Sequence, residues 1–484
     1  MAGDLVGSEL SRLLGLVLVA YVALLFVIGW LARRRIHDAE DYVVAGRRLP
    51  LLLAWPTLLA TWFGAGTLLI ATDEVRARGL EAAALDPFGA GACLLLAAWL
   101  FAKPLWGMRL LTLPDFFGRR FGPRAEWLSA LLMVPGYFGW IAAQFVAVAA
   151  LLSLFFGIPQ ALGITLAAAV GMGYTLIGGM WSVTLTDALQ MALVALGLAV
   201  LGVETLADLG GAAGPLAGLA RLWAETPAEK LRLVPLHDAA AALAWLGVFA
   251  AGALGNLPGQ DLMQRVFAAR SAGVARAACA LAGASYLLLG LAPLGMGLAA
   301  DLLLPSEADT STLALLAHLF LEPPLAVILL LAVLSAVLST MDSAILSPAT
   351  VLAQNLFRRE GQAHAGLGLH QLCVAGVTAA SLGVAYLGQD AYSLLESAYE
   401  VGLVSLFAPL ALGLLGAAGG ERSALVAMVV GTGLWLAHRV AGYEGFLARD
   451  GMVPVGLACA GCAALAYAVT ARLAPHGLHP PEAR

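Results

Sequence analysis

The sequence predicts an all-α integral membrane protein of about 13 transmembrane helices, built around a five-plus-five inverted repeat. Three observations carry this reading. Hydrophobic residues make up 61% of the chain and charged residues only 12%, about half the charged share of a soluble protein. Apolar runs near the ~20 residues that cross a bilayer recur along the whole sequence. Two of those runs are interrupted by glycine, and they stand five helices apart.

The predicted spans lie near 10–32, 49–72, 81–102, 125–155, 158–178, 182–205, 236–256, 273–301, 325–356, 367–388, 393–417, 422–438 and 452–472. The first is followed by Arg33-Arg34-Arg35. A basic cluster after a long apolar run marks the cytoplasmic side and is not a cleavable signal. It places the N-terminus outside and, after an odd number of spans, the C-terminus inside. Most of the 26 Lys and Arg residues then fall on the inner side. None is placed mid-membrane, and Arg265 is assigned to an inner loop. Cys93, Cys279, Cys373, Cys459 and Cys462 all sit in apolar segments, which speaks for packing rather than a disulfide framework.

The second span contains Thr61-Trp62-Phe63-Gly64-Ala65-Gly66-Thr67. Each of its glycines costs about 1 kcal/mol relative to alanine in a helix. Broken helices persist in hydrocarbon only where they line a protein-enclosed cavity, and transporters use them to bind ions and substrates. The seventh span ends in Ala250-Ala251-Gly252-Ala253-Leu254-Gly255-Asn256-Leu257-Pro258-Gly259-Gln260, a second break at the corresponding place. An interval of five spans inverts the second group relative to the first. The chain accordingly divides into an extra helix and loop (1–48), a first repeat (49–205), a loop (206–235), a second repeat (236–417) and two C-terminal helices with a short tail (418–484).

Asp86, Asp187, Asp342, Glu396 and Glu400 lie within or at the ends of apolar segments, with no basic residue placed at their depth. Such acids are costly and mark ion or substrate paths. The ninth span carries Ser335, Ser339, Thr340, Asp342 and Ser343 within nine residues. Helical spacing puts Ala336, Ser339, Thr340 and Ser343 on one face. Hydroxyls and freed carbonyls suit sodium, a hard cation that takes oxygen ligands. Glu396 and Glu400, one turn apart and near Tyr392 and Tyr399, are candidate residues of an outer gate.

Several separated stretches resemble the sodium/solute symporter family. They are Asp41-Tyr42-Val43-Val44-Ala45-Gly46-Arg47-Arg48, the run from Gly178 through Trp181 and Asp187 to Gln190, and Leu338-Ser339-Thr340-Met341-Asp342-Ser343. The resemblance covers about residues 10–417 in one consistent order. Ala60-Thr61-Trp62, Phe101-Ala102-Lys103-Pro104 and Gln264-Arg265-Val266 look most like the high-affinity choline branch. The resemblance implies a LeuT-type fold and alternating access driven by sodium. It implies a sodium site from Ala60, Phe63, Ala336, Ser339 and Thr340. It associates Asp187 with sodium coupling and release, and Asp342 is taken with it.

In the choline branch an aromatic cage holds a quaternary ammonium by cation–π contact. Trp62 and Trp140 match two of its positions, while Ala90 and Gly259 stand where a tyrosine and a tryptophan belong. So depleted a cage would bind choline poorly, and the freed volume would admit a larger solute. The solute site is placed at the midplane between the two breaks, with Trp62, Gly66, Thr67, Asp86, Ala90, Trp140 and Gly259 as its candidate residues.

The resulting expectation is sodium-coupled symport of a small organic solute. Na+ is the coupling ion and no other cofactor is expected. The partners are Na+, the solute and the lipid bilayer of a plasma membrane, of the prokaryotic inner-membrane kind. No nucleic acid is expected. Proton coupling through Asp187 or Asp342 is the first rival. A solute sensor is the second, disfavoured by the short tail after the last helix. An enzyme is disfavoured because no HExxH, no GxSxG and no clustered His/Cys ligands occur.

Overall fold

The computed structural model describes residues 8–304, 322–358, 362, 364–387, 396, 399–443, 445–447 and 451–473. Among the described residues the structure is all-helical apart from turns and two isolated β-bridges. Helix α1 (Ser8–Ala32) presents Leu16, Val19, Val27 and Trp30 outward, an apolar surface suited to lipid rather than water. The second predicted span is two helices, α2 (Leu51–Trp62) and α3 (Gly66–Arg78), bent by 56° at the glycine pair. Then come α4 (Leu80–Gly107), α5 (Pro123–Phe156) and α6 (Gln160–Gly210). The seventh span is α7 (Ala239–Gly255) followed by α8 (Gln260–Ala268). The rest are α9 (Ala272–Leu303), α10 (Pro323–Val351), α11 (Leu367–Tyr386), α12 (Tyr399–Leu414), α13 (Glu421–Ala441) and α14 (Val455–Leu473).

Among the described residues ten helices are long and apolar enough to cross a membrane, or eleven with the bent pair counted as one span. The expected 13 differs from this for two physical reasons. Helix α6 has 51 residues, about 75 Å of helix, far more than the ~30 Å of hydrocarbon. It turns at Gly179, where φ is +47° and ψ −145°, so two predicted spans form one bent element. Helix α12 is short, and part of the span predicted at 393–417, Tyr392 before it included, lies outside the described residues.

Helix α10 is the axis of the bundle. Every residue from Ser335 to Val351 is buried. It packs on α1, α2, α5, α6 and α8. The second break differs in detail from the expectation. Helix α7 continues through Gly252 and stops only at Gly255. A Cβ on Gly252 would meet the Leu85 carbonyl oxygen at 2.5 Å, and one on Gly255 would meet that of Tyr399 at 2.2 Å. Those two glycines let α4 and α12 approach the α7 backbone closely. The break itself is Asn256 to Gly259.

The loop before α2 fastens the start of α2 to the end of α8. Leu49 N–H donates to the Ala268 carbonyl (3.1 Å), and Arg270 N–H donates back to Leu49 (3.0 Å). Arg47 donates to Leu110 (2.9 Å) and Phe267 (3.4 Å) carbonyls and pairs with Glu40 at 2.6 Å.

Candidate functional site

Helix α2 ends at Trp62 because the next residues leave helical geometry, Phe63 having φ −78° and ψ 72°. Its last carbonyls therefore lose their intrahelical donors. Ser339 Oγ and Thr340 Oγ1 lie 3.1 and 3.2 Å from the Ala60 carbonyl oxygen, and each is also 3.0–3.1 Å from the Ala336 carbonyl. Four of the five residues implied for sodium thus meet within hydrogen-bond distance. Phe63 closes α2 beside them, and its neighbour Gly64 lies against Thr340. A Cβ on Gly64 would stand 2.3 Å from Thr340 Oγ1. The freed backbone is satisfied in part by a residue the sequence did not single out: Gln144 of α5 accepts the Ala65 N–H at 3.1 Å.

Gly64→Ala is accordingly expected to push Thr340 aside. Overpacking of this kind costs about 1–3 kcal/mol. A fall in the detergent melting point, larger than that of Gly66→Ala, checks it.

Asp187 and Asp342 stand at the two ends of a hydroxyl chain between α2 and α10. Thr57 donates to Asp187 Oδ2 at 2.5 Å, and Thr61 donates to the Thr57 carbonyl at 2.6 Å. Thr61 also lies 3.4 Å from Ser343 Oγ, which donates to Asp342 Oδ1 at 3.1 Å. The other oxygen of each acid, Asp187 Oδ1 and Asp342 Oδ2, has no protein hydrogen-bond partner.

The assignment of Arg265 to an inner loop is corrected here. The residue is fully buried on α8. It donates to Ser343 Oγ at 2.5 Å and to the Asp261 carbonyl at 3.2 Å. The absence of basic residues beside the acids is corrected too. Arg265 faces the Asp342–Ser343 end of the chain, and Arg439 donates to Glu400 at 2.6 Å. The sequence hid both contacts because each cation sits tens of residues from its side-chain partner.

The expected solute residues fall into two groups. Trp140 and Gly259 line a cavity of ≈ 50 Å³ with Tyr137, Asp261 and Tyr399. Trp62 reaches it through its indole N–H, which donates to Asp261. Gly66 and Asp86 line a smaller recess of ≈ 10 Å³ with Glu74. Thr67 donates to Asp86 at 2.9 Å, and the Tyr286 hydroxyl lies 3.0 Å from the Trp62 carbonyl and 2.9 Å from Asp86. Ala90 is buried at the start of the helical run Ala90–Leu96 and lines neither space. The space at Gly259 is not free: a Cβ there would meet Asp261 Oδ1 at 2.7 Å. At the outer-gate candidates, Glu400 also accepts from Trp435 at 2.9 Å, and Glu396 is half-buried.

The sequence profile of the sodium:solute symporter family matches residues 42–431. The chain is 28% identical over 369 residues to the high affinity choline transporter 1 of Homo sapiens, covering 71% of this chain and 61% of that one. The match thus spans about three fifths of the human protein's length. It is 26% identical over 359 residues to the osmoregulated proline transporter of Bacillus subtilis, covering 70% of each chain. In structure it resembles a Na+-coupled sialic acid symporter in a substrate-bound outward-open state, with a TM-score of 0.78 and 18% identity. That likeness covers 96% of this chain and 98% of the other, and it gives the fold as the LeuT-type arrangement of a multi-pass membrane protein. With its profile matched from residue 42 to residue 431, this chain belongs to the sodium:solute symporter family.

Proposed function

We propose that this protein is a secondary active transporter that carries a small organic solute together with sodium. The observation that carries the reading is the convergence of Ser339 and Thr340 on the Ala60 carbonyl at the end of α2. A cation there is held by neutral oxygens from two elements that alternating access moves apart. Ala60, Phe63, Ala336, Ser339 and Thr340 form the sodium site. Sodium filling it steadies the bend between α2 and α3, and with it the wall of the solute cavity. Asp187 and Asp342 provide the release path, their unpartnered oxygens accepting the ion as it leaves. A sodium ion crossing 100 mV contributes about 2.3 kcal/mol, enough to concentrate a solute about 50-fold.

The chain divides functionally at 49–205 and 236–417 into two inverted repeats, with the N-terminus outside and the C-terminus in the cytoplasm of a plasma membrane. Glu396 and Glu400 gate the outer mouth. The test is charge movement by the protein in vesicles on a solid support, evoked by jumps of choline, proline and sialic acid, the solutes that its relatives are named for, and of small amines and guanidines. Currents in sodium and none in potassium support the reading. Currents that follow a pH gradient without sodium would replace it with proton coupling.

A further inference from the structure

Resting on that symport reading, we propose that the solute is an organic cation bearing N–H groups, a primary ammonium or a guanidinium, and that Asp261 holds its charge. Asp261 is buried and lines the cavity beside Tyr137, Trp140 and Tyr399. Its Oδ1 accepts from the Tyr137 hydroxyl at 2.5 Å, and Oδ2 accepts from the Trp62 indole. A carboxylate has about four acceptor sites, so each oxygen keeps one for a further donor. A quaternary ammonium has no N–H to offer there; an ammonium or guanidinium has several.

Holding the two donors does not by itself call for a charge, since a neutral amide oxygen would accept from an indole or a phenol as well. A buried carboxylate without a cation is costly. Yet no cation lies within ion-pair distance of Asp261 among the described residues. The wider charge balance points the same way. Four carboxylates, Asp86, Asp187, Asp261 and Asp342, are buried in this region against one guanidinium, Arg265. Sodium near Asp187 and Asp342 would offset part of that excess. The share at Asp261 faces the cavity.

Geometry separates this site from an aromatic cage. The carboxylate oxygen occupies the space into which a side chain at position 259 would grow, 2.7 Å from a Gly259 Cβ. One ring is thereby replaced by one negative charge. The rings that remain can flank the hydrocarbon part of the solute, with Trp140 set edge-on to Tyr399 at 6.5 Å and tilted against Tyr137 at 5.8 Å. Asp261 also ties three parts of the bundle together, because its acceptors join α2 and α5 to α8. A cation drawn to it would pull on Trp62, the last residue of α2, two residues from Ala60. Solute and sodium then act on the same bend.

The test measures melting of the full-length protein in detergent at saturating sodium. The probes are ethanolamine, putrescine, agmatine and arginine, with choline, proline and sialic acid as solutes lacking a primary ammonium or a guanidinium. The expected result is a saturable, sodium-dependent rise with at least one of the first four. In Asp261→Asn the affinity for that probe falls roughly 30-fold or more, while sodium alone still raises the melting point, which reports a folded protein. Asp261→Glu, which keeps the charge, retains measurable binding. A rise with choline, proline or sialic acid only, or with none of the first four, overturns the proposal, as does probe binding that survives Asp261→Asn unchanged. None of those results touches the symport reading, which instead fails if wild-type protein shows no response to sodium alone.

Discussion

Arg265→Met is expected to lower the stability of the protein by about 3–5 kcal/mol, the usual cost of removing one partner from a buried charged network. Methionine keeps most of the apolar stem but removes the charge and the donors to Ser343 and to the Asp261 carbonyl. Asp342, which shares the Ser343 hydroxyl with Arg265, is then left with no buried cation near it. Because the loss is one of charge balance, removing an acid restores part of it. Arg265→Met with Asp342→Asn should melt above Arg265→Met alone. The coupling in that double-mutant cycle, read from melting in detergent, should exceed about 1 kcal/mol, as for residues within one network. Strict additivity of the two single changes would show that the guanidinium does not serve this acid.

The second large effect is expected of Ser339→Ala with Thr340→Ala. Both hydroxyls face the Ala60 carbonyl, and each also bonds back to Ala336 one turn earlier. The back-bonds are local and add little to stability, so the doubly substituted protein should fold and melt near wild type in potassium. Sodium at the proposed site, by contrast, should lose two of its oxygen ligands. The sodium midpoint should rise about 100-fold, equivalent to about 2.7 kcal/mol. Each single change should have a smaller effect. A large drop in melting point in potassium would mean that the hydroxyls hold the bundle together rather than the ion.

What the sequence revealed and what it hid follow from the range of each signal. Hydropathy and glycine placement are local, so most of the spans and the places of both breaks were legible, down to the glycine pair where α2 bends into α3, while the bent α6 read as two spans. The Ser339–Thr340 face was legible because helical period alone puts those hydroxyls together. Gly252 and Gly255 were misjudged, since a glycine that admits a neighbouring backbone looks the same in sequence as one that breaks a helix. Arg265 and Asp261 were hidden for another reason. They sit in the polar stretch Gln260-Asp261-Leu262-Met263-Gln264-Arg265, which reads as a loop. Their partners Ser343 and Trp62 lie 78 and 199 residues away. Only the packing of α8 under the first break brings these groups into one buried site. Gln144 escaped notice likewise, its partner Ala65 being 79 residues distant.

Sodium binding at the bend between α2 and α3 can be measured without any solute. Melting of the purified protein is followed while sodium replaces potassium at constant ionic strength and pH. A ligand that binds only the folded state stabilises it by mass action, by about 2.7 kcal/mol at 100 times its dissociation constant. The expected result is a saturable rise specific to sodium that is absent from the Ser339→Ala/Thr340→Ala protein. An identical melting curve in sodium and potassium, with a rise on lowering the pH instead, would contradict it and leave protons as the coupling ion.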